Sequence, residues 1–293
     1  MAFPVVYFYL ILQQLIGSTT HIVAQEATQS VDPGLLLLLR SLGASLVFLL
    51  LLFGMERRWN VFHRIAREDM GRMFLLGFLN VPLNQLLYLH GIKYTSPANS
   101  ALLYSLTPML VFLFTSLLHS ERPSGRKALG IVIALIGAGI IMFESGAELG
   151  PEHTTGNILI FMAVIAWALF TMLGRPMVLK YGAVYVTAVN MIFGALLYLP
   201  FGLLTAHLSD LAAMTSVSWT EVAYLALIAS VLNYILWYAA LGKLEATRVA
   251  IFQNLQPIIT TLMALYLGRA ILTLQFLGGG TLALIGVLVV ELA

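Results

Sequence analysis

Long apolar runs alternate along the chain with short polar stretches, and this alternation predicts ten helices. Each run holds about 20 residues, which is enough for a helix to cross roughly 30 Å of hydrocarbon. The predicted helices cover residues 5–24, 33–54, 69–90, 95–118, 125–144, 155–174, 183–206, 219–242, 247–268 and 273–292. The pattern therefore predicts an all-α integral membrane protein with ten transmembrane helices.

The second half of the chain repeats the first at a constant offset of 149 residues. Asn84 aligns with Asn233 and Pro108 aligns with Pro257, so both halves contain the same Asn-to-Pro spacing of 24 residues. Apolar matches are common in a hydrophobic sequence, but a shared polar residue and a shared proline at one spacing are harder to obtain by chance. We therefore predict an internal duplication.

Composition places the chain in a bilayer rather than in water. It is 60% hydrophobic and 10% charged, with a mean hydropathy of +0.94, whereas a soluble domain carries about 25% charged residues. The net charge of +2 comes from basic residues scattered among short loops, which does not favour a nucleic-acid partner. The absence of cysteine excludes disulfides and cysteine-based metal sites. The expected surroundings are therefore the lipid bilayer, and no metal or cofactor is predicted.

The distribution of Lys and Arg predicts the orientation. If the N-terminus is cytoplasmic, the outside loops carry two basic residues, Lys93 and Arg269, while Arg40 lies within a span. The other twelve of the fifteen basic residues then lie on the inside: Arg57, Arg58, Arg64, Arg67, Arg72, Arg122, Arg126, Lys127, Arg175, Lys180, Lys243 and Arg248. No basic residue precedes the first apolar run, so we expect a retained span rather than a cleaved signal. Both termini are predicted to be cytoplasmic, in the cytoplasmic (inner) membrane.

Five spans per repeat is an odd number, so the second repeat must cross the membrane in the opposite sense. We predict one repeat over residues 1–147 and an inverted repeat over residues 152–293. Inverted repeats are a recurring plan of secondary transporters, whose solute site lies near the midplane between the repeats. Architecture thus favours a transporter, but function depends on the site, and therefore on the residues near the midplane.

Polar residues recur on one face of the third and eighth predicted helices. Asn80, Asn84 and Tyr88 follow one another at intervals of four residues, and Asn233 and Trp237 repeat that pattern. An Asn in hydrocarbon needs a partner or water, so this face should point into the protein. Two interpretations remain open: hydrogen bonds that join packed helices, or the lining of a solute cavity.

Pro108 and Pro257 lie near mid-depth in the fourth and ninth predicted helices, where each removes a backbone donor and bends the helix. The carbonyls freed by such a bend need partners in other helices or in a wet cavity. Tyr104 precedes the first proline, and Gln253 and Gln256 precede the second. These positions are either purely structural kinks or part of a solute site.

The first predicted helix carries a polar stripe on an otherwise apolar surface. It comprises Gln14, Gly17, Ser18, His21 and Gln25, which fall on one helix face that should point inward. His21 is a candidate for proton coupling, because imidazole titrates near neutral pH. The alternative is a histidine that is merely hydrogen-bonded.

Arg40 lies about 12 Å below the outer end of the second predicted helix, as judged from the rise per residue. A charge at that depth is costly unless it pairs or reaches water. It is expected to pair with Glu26 or Glu144, to reach outward, or to meet an anionic group of the solute. Because no Asp or Glu lies deep within a predicted helix, a carboxylate proton relay is not supported.

Aromatic side chains add to the predicted lining of amides and hydroxyls. Those available are Trp167, Trp237, Tyr88, Tyr104, Tyr234 and Tyr238. Apolar walls with a few polar groups suit a small neutral or zwitterionic organic solute, whereas an ion would need rings of carboxylates or carbonyls. The chain lacks a nucleophile paired with a base, paired carboxylates and metal motifs, so no enzyme is predicted and there are no catalytic residues. The alternative to a transporter is a membrane scaffold or lipid scramblase, and nothing in the pattern specifies an oligomeric state.

The whole pattern resembles the drug/metabolite transporter superfamily, specifically the EamA-type exporters. Trp167-Ala168 matches the Trp-Gly or Trp-Ala pair that opens each half in that family, although Ile16-Gly17 lacks the Trp. Arg40, Pro108 and Pro257 match its Arg in the second span and its prolines in the fourth and ninth. The resemblance implies ten spans in two inverted halves and the export of small metabolites such as amino acids, often coupled to protons.

Overall fold

The computed structural model describes residues 3–57, 62–118, 120–144, 150–205, 208–266 and 273–293. Within these ranges the regular structure is helical and contains no strand. The α-helices are α1 Phe3–Ser30, α2 Pro33–Glu56, α3 Arg67–Phe78, α4 Leu86–Lys93, α5 Pro97–Tyr104, α6 Thr107–Leu117, α7 Gly125–Glu144, α8 Thr154–Tyr181, α9 Ala183–Thr205, α10 Leu208–Ala213, α11 Ser216–Ala223, α12 Asn233–Leu241, α13 Ala246–Ala250, α14 Gln256–Tyr266 and α15 Leu274–Glu291. Two π-helices, Leu79–Gln85 and Tyr224–Leu232, and two 3₁₀-helices, Pro151–His153 and Ile251–Leu255, complete the set.

Seven helical segments of the described chain are long and apolar enough to cross a membrane, which confirms the prediction of an integral membrane protein. They are Pro33–Met55, Pro97–Leu117, Gly125–Glu144, Pro151–Tyr181, Ala183–Thr205, Ser216–Leu241 and Leu274–Glu291. Three other helical stretches, α1, residues 67–93 and residues 246–266, carry several amide side chains that lower their mean hydropathy. These amides are mostly buried inside the bundle, where polar groups find partners that lipid does not offer.

The prolines interrupt the helices as expected. α5 ends at Tyr104 and α6 begins at Thr107, so Pro108 lies in the first turn of a new helix. Pro257 is the second residue of α14, directly after the 3₁₀-helix Ile251–Leu255. A proline in the first turn of a helix costs little, because the N–H that it lacks would have no partner there.

Glycines bring α7 and α15 into close antiparallel contact. A Cβ atom at Gly137 would lie 2.4 Å from the carbonyl oxygen of Gly279, and one at Gly286 would lie 2.5 Å from the carbonyl oxygen of Gly130. The offset of 149 relates Gly130 to Gly279 and Gly137 to Gly286. The contact of Gly137 with Gly279 therefore corresponds to the contact of Gly286 with Gly130. Small residues let helix backbones approach closely in a membrane, where lipid provides no hydrophobic drive for packing.

Replacing Gly137 by leucine should strongly destabilise the protein, because the new side chain meets backbone atoms of α15 that cannot move aside. Overpacking costs typically about 1–3 kcal/mol in cores, and here the obstacle is main chain. Gly139 lies on the same helix with no atom within 4 Å of a Cβ position, so Gly139→Leu is the matched control. The measurement is the thermal unfolding midpoint in detergent, and equal midpoints for the two variants would contradict the packing argument.

The start of α1 and the end of α15 lie at the same end of the bundle, which we call the terminal end. The Tyr7 hydroxyl donates to a carboxylate oxygen of Glu291 at 2.9 Å, joining the start of α1 to the end of α15. Lys127 pairs with Glu245 at this end. The carboxylate of Glu121, in the connection between α6 and α7, accepts from the backbone N–H of Ala246 at 2.6 Å and so caps α13. Contacts between segments that are distant in sequence thus hold the helices together at the terminal end.

The pair Lys127–Glu245 should make stability depend on pH. Partial burial raises the pKa of the Glu245 carboxyl, but the hydrogen bond and charge of Lys127 outweigh it and hold the pKa below its ordinary value. A carboxyl whose pKa is lower in the folded state than in the unfolded state stabilises the protein above its ordinary pKa of about 4.3. This stabilisation is lost as pH falls through the lower pKa of the folded state. Glu245→Gln should therefore lower the unfolding midpoint at pH 7 and reduce its fall below about pH 4.3. Glu152→Gln, at an exposed turn, is the control for removing one carboxylate and should match the wild type. If Glu245→Gln has the same dependence of the unfolding midpoint on pH as the wild type, this account is contradicted.

Candidate functional site

A cavity of about 60 Å³ lies in the centre of the described bundle, with room for several water molecules. Its walls come from both predicted halves of the chain. The lining residues are Gln13, Gly17, Thr20, His21, Arg40, Asn84, Gln85, Tyr88, Tyr104, Trp167, Ala229, Asn233, Tyr234, Gln253 and Gln256. Amides, hydroxyls, aromatic rings and one guanidinium group thus surround the space, and no carboxylate is among them.

Most of the residues predicted from the sequence line this cavity. They are His21, Arg40, Asn84, Tyr88, Tyr104, Trp167, Asn233, Gln253 and Gln256. The structure thus brings together polar residues of the first, second, third, fourth, sixth, eighth and ninth predicted helices. Pro108 and Pro257 are not among the lining residues, and they act by ending the helical segments that carry Tyr104 and Gln253.

Three predicted residues lie behind the wall rather than in it. Gln14 accepts a hydrogen bond from Gln256 Nε2 at 3.0 Å, and the Ser18 hydroxyl donates to the Gln256 carbonyl at 3.4 Å. Trp237 Nε1 donates to Thr171 Oγ1 at 3.1 Å, and its ring lies 5.2 Å from that of Trp167. These residues orient the lining side chains Gln256 and Trp167.

Of the three residues predicted to share one face, Asn84 and Tyr88 line the cavity and Asn80 does not. The π-helix Leu79–Gln85 has a wider turn, so residues five apart lie on one face. Gln85 Nε2 accordingly donates to Asn80 Oδ1 at 2.8 Å. Asn80 itself points to α9, where its Nδ2 donates to Asn190 Oδ1 at 2.9 Å. Gln85 lines the cavity, and Asn80 holds the Gln85 amide from behind.

Sequence reasoning placed Gly17 on the inward stripe and Tyr234 among the aromatic residues available to the lining. It left out four lining residues, which are Gln13, Thr20, Gln85 and Ala229. Gln85 and Tyr234 are equivalent at the offset of 149, and Gln85 Nε2 donates to the Tyr234 hydroxyl at 3.3 Å. Equivalent residues of two related halves touch each other only near the axis that relates them. The repeat alignment, combined with the π-turn, was the signal that could have found this pair.

His21 joins four helical segments through hydrogen bonds. Its Nδ1 lies 3.0 Å from both the Tyr88 hydroxyl and the Ser100 hydroxyl, and its Nε2 lies 3.3 Å from Gln256 Oε1. An amide oxygen only accepts, so the Nε2 carries the proton and Nδ1 of a neutral ring accepts from a hydroxyl. The chain of bonds continues from Gln256 to Gln14. His21 therefore sits in a directed hydrogen-bond chain beside the cavity.

The two equivalent asparagines differ in their contacts. Asn84 Nδ2 donates to the Ala163 carbonyl at 2.8 Å and to the Tyr104 hydroxyl at 3.0 Å. Asn84 thus both joins helices and lines the cavity, which combines the two interpretations left open by the sequence. Asn233 lines the cavity, and its Oδ1 is buried without a hydrogen-bond partner among the described residues.

Four buried polar atoms of lining residues have no partner in the described part of the protein. They are Gln85 Oε1, Asn233 Oδ1 and Gln253 Oε1, which accept, and Trp167 Nε1, which donates. A buried polar group without a partner costs about 1–3 kcal/mol, and native proteins contain few of them. These four of the thirteen such atoms in the described protein line the cavity, where a solute can supply their hydrogen bonds.

Arg40 does not form the ion pair expected with Glu26 or Glu144. Its side chain is buried, with 3% of the residue exposed, and its Nε donates to Ser230 Oγ at 2.7 Å. Among the described residues it has no carboxylate partner. The expectation failed because the nearby polar group is supplied by the π-helix Tyr224–Leu232, which is 190 residues away in sequence.

The model of the EamA-like transporter family matches residues 5–143 and again residues 154–292. The chain is 33% identical over 228 residues to the uncharacterized transporter YetK of Bacillus subtilis, covering 77% of this chain and 68% of that protein. It is 22% identical to a probable terminal-alkyne amino-acid exporter of Streptantibioticus cattleyicolor, covering 78% and 75% of the two chains. For protein PecM of Dickeya dadantii the identity is 24%, with coverage of 90% and 84%. A solved crystal structure with 17% identity superposes with a TM-score of 0.76 over 99% of this chain and 97% of that one, which shows a shared fold.

Proposed function

The chain belongs to the EamA-like transporter family, and we propose that it is a secondary transporter that exports a small organic metabolite by alternating access. It is a membrane transporter by family, and the observation that carries the finer proposal is the central cavity. Side chains from both predicted halves line this cavity, so a relative movement of the halves changes which side it opens to. The proposal involves no covalent chemistry and no catalytic residue.

We propose ten spans arranged as two inverted repeats, residues 1–147 and 152–293. The contact between the equivalent residues Gln85 and Tyr234 supports an axis that passes near the cavity. The corresponding glycine contacts of α7 and α15 support the same axis. The amide-bearing helical stretches α1, 67–93 and 246–266 are the remaining three spans, because they line the cavity and bury their amides away from lipid.

The proposed orientation puts both termini in the cytoplasm and the protein in the cytoplasmic membrane. The bias of Lys and Arg toward the inside connections supports it. The contact of Tyr7 with Glu291 supports placing the two termini on one side. Arg58 and Arg269, which contributed to the charge argument, lie outside the described residues.

The proposed solute is neutral or zwitterionic, such as an amino acid or an aromatic compound. The mixture of amides, hydroxyls and rings around the cavity supports this class. The relative whose name describes amino-acid export also supports it. Within this proposal the lining side chains bind the solute, Gln14, Ser18 and Trp237 hold them in place, and His21 is the candidate for proton coupling.

Flux into sealed vesicles tests the proposal. Purified protein is reconstituted into liposomes, and uptake of labelled alanine and phenylalanine is followed with and without a pH gradient. We expect saturable uptake that exceeds the uptake of protein-free vesicles and responds to the pH gradient. Redistribution of a labelled lipid, without any saturable flux across a broad panel of metabolites, would instead favour the lipid scramblase.

A further inference from the structure

Arg40 places a buried positive charge at the wall of the cavity. One of its five N–H groups, on Nε, is bound by Ser230, which leaves the four on its terminal nitrogens without a partner in the described protein. The ionisable side chains that interact with it electrostatically are the tyrosines Tyr234, Tyr88, Tyr104 and Tyr224. Neutral phenols do not balance a charge, so no described residue compensates the positive charge of this guanidinium group.

Packing does not require a cation at this position. Arg40 and Ser230 join α2 to the π-helix before α12. At the offset of 149, Arg40 corresponds to residue 189 and Ser230 to residue 81. One residue away from each of these positions, Asn80 binds Asn190 at 2.9 Å. Two neutral amides fill that place. A buried charge costs several kcal/mol unless it is paired, so an uncharged pair would be the cheaper choice if Arg40 served only packing.

We propose that Arg40 binds the carboxylate of the transported solute, so that the cavity selects organic carboxylates and rejects cationic amines. This inference rests on the proposed transport function and deepens it. A guanidinium group matches a carboxylate with two parallel hydrogen bonds, and the terminal nitrogens of Arg40 are free for that geometry. A cation in the same small cavity meets repulsion that no lining carboxylate relieves.

Three amide oxygens in the cavity wall can accept hydrogen bonds from an ammonium group of the solute. Gln85 Oε1, Asn233 Oδ1 and Gln253 Oε1 line the cavity as acceptors without donors. An ammonium group supplies three donors and no acceptor. An amino-carboxylate therefore satisfies both Arg40 and the amide oxygens, a plain carboxylate satisfies Arg40 alone, and a plain amine leaves Arg40 unpaired. The expected order of affinity is amino-carboxylate, then carboxylate, then amine.

Two matched series of compounds test this order on the purified full chain. The first is alanine, propionate and ethylamine, and the second is phenylalanine, 3-phenylpropionate and phenethylamine. Trp167 lines the cavity, so quenching of tryptophan fluorescence reports binding, and flux into liposomes is measured in parallel. The variants are Arg40→Gln, Arg40→Lys and, as a control for losing one arginine, Arg126→Gln at an exposed position.

In wild-type protein we expect each amino-carboxylate to bind more tightly than its amine. Arg40→Gln should weaken carboxylate binding by about 10- to 100-fold, the range for hydrogen bonds to charged groups. Arg40→Lys should retain part of the affinity, because it keeps the charge and loses the planar pair of donors. Arg126→Gln should behave as wild type. If Arg40→Gln does not fold, the wild-type order and Arg40→Lys still decide the matter.

The inference is overturned if wild-type protein binds the amines as tightly as the amino-carboxylates, or if Arg40→Gln keeps the preference for carboxylates. It is also overturned if sodium chloride alone produces the same Arg40-dependent quenching, because an inorganic anion is then the partner. Failure of the transport proposal looks different, since the binding order then holds while none of the six compounds crosses the membrane. If the protein transports the amines as well as the carboxylates, the proposed role of Arg40 is wrong and the proposed transport function still holds.

Discussion

Replacing Gly17 by valine should reduce solute flux to the level of protein-free vesicles while the protein still folds. Gly17 lines the cavity, and a Cβ atom there would lie 2.6 Å from Gln256 Nε2. The valine methyl groups would displace this amide and occupy part of a space of about 60 Å³. Because the obstacle is the end of a flexible side chain and not a backbone, the helices need not separate. The measurement is uptake into liposomes together with the unfolding midpoint.

The control for Gly17→Val is Gly278→Val, which adds the same side chain to a glycine of α15 with no atom within 4 Å. This variant should transport as wild type does. Gly17→Ala should give an intermediate flux, since it pushes on Gln256 and adds only one carbon. Undiminished flux in Gly17→Val would show that the solute does not pass through this cavity.

The second large effect separates the two equivalent asparagines. Asn84→Leu and Asn233→Leu should each reduce flux at least tenfold, because each removes a polar group from the cavity wall. Their effects on stability should differ. Asn84→Leu loses bonds to Ala163 and Tyr104, worth about 0.6 kcal/mol each in a membrane protein. Asn233→Leu removes an oxygen that has no partner, so the free energy of unfolding should stay unchanged or rise.

Flux and the unfolding midpoint are measured on the same preparations of the two variants. Each leucine variant is the control for the other, because the two substitutions are chemically identical and are placed at equivalent positions of the repeats. A loss of stability in Asn233→Leu as large as that in Asn84→Leu would mean that both asparagines mainly join helices. Normal flux in both variants would remove them from the solute site.

The sequence reveals the membrane fold because apolar run length is set by the thickness of the bilayer. The resemblance to the EamA family of transporters is confirmed by the family match over both halves. The inward stripe of α1 follows from helical periodicity alone, and His21 and Gly17 indeed reach the cavity. For the membrane fold and the inward stripe, one local rule, either length or a period of 3.6 residues, was enough.

The remaining features depend on local irregularity or on distant partners. Pro82 marks the π-helix Leu79–Gln85 only ambiguously, because proline also kinks or ends ordinary helices. Without the π-turn the period of 3.6 selects Asn80 instead of Gln85. The partner of Arg40 was missed for another reason: charge pairing suggests a carboxylate, whereas packing brings Ser230 to it. Periodicity gives the face of a helix, and it does not say which helix faces it.

Access to the cavity from the two sides of the membrane tests the central claim most directly. The chain has no cysteine, so Ala229→Cys at the cavity wall provides a single thiol, and Ala44→Cys in the packed core is the control. Labelling with a membrane-impermeant maleimide is followed in right-side-out and inside-out vesicles. The account predicts that Ala229→Cys is labelled from both sides, that phenylalanine slows this labelling, and that Ala44→Cys stays unlabelled. Labelling of Ala229→Cys from neither side, or labelling that no solute affects, would contradict the account.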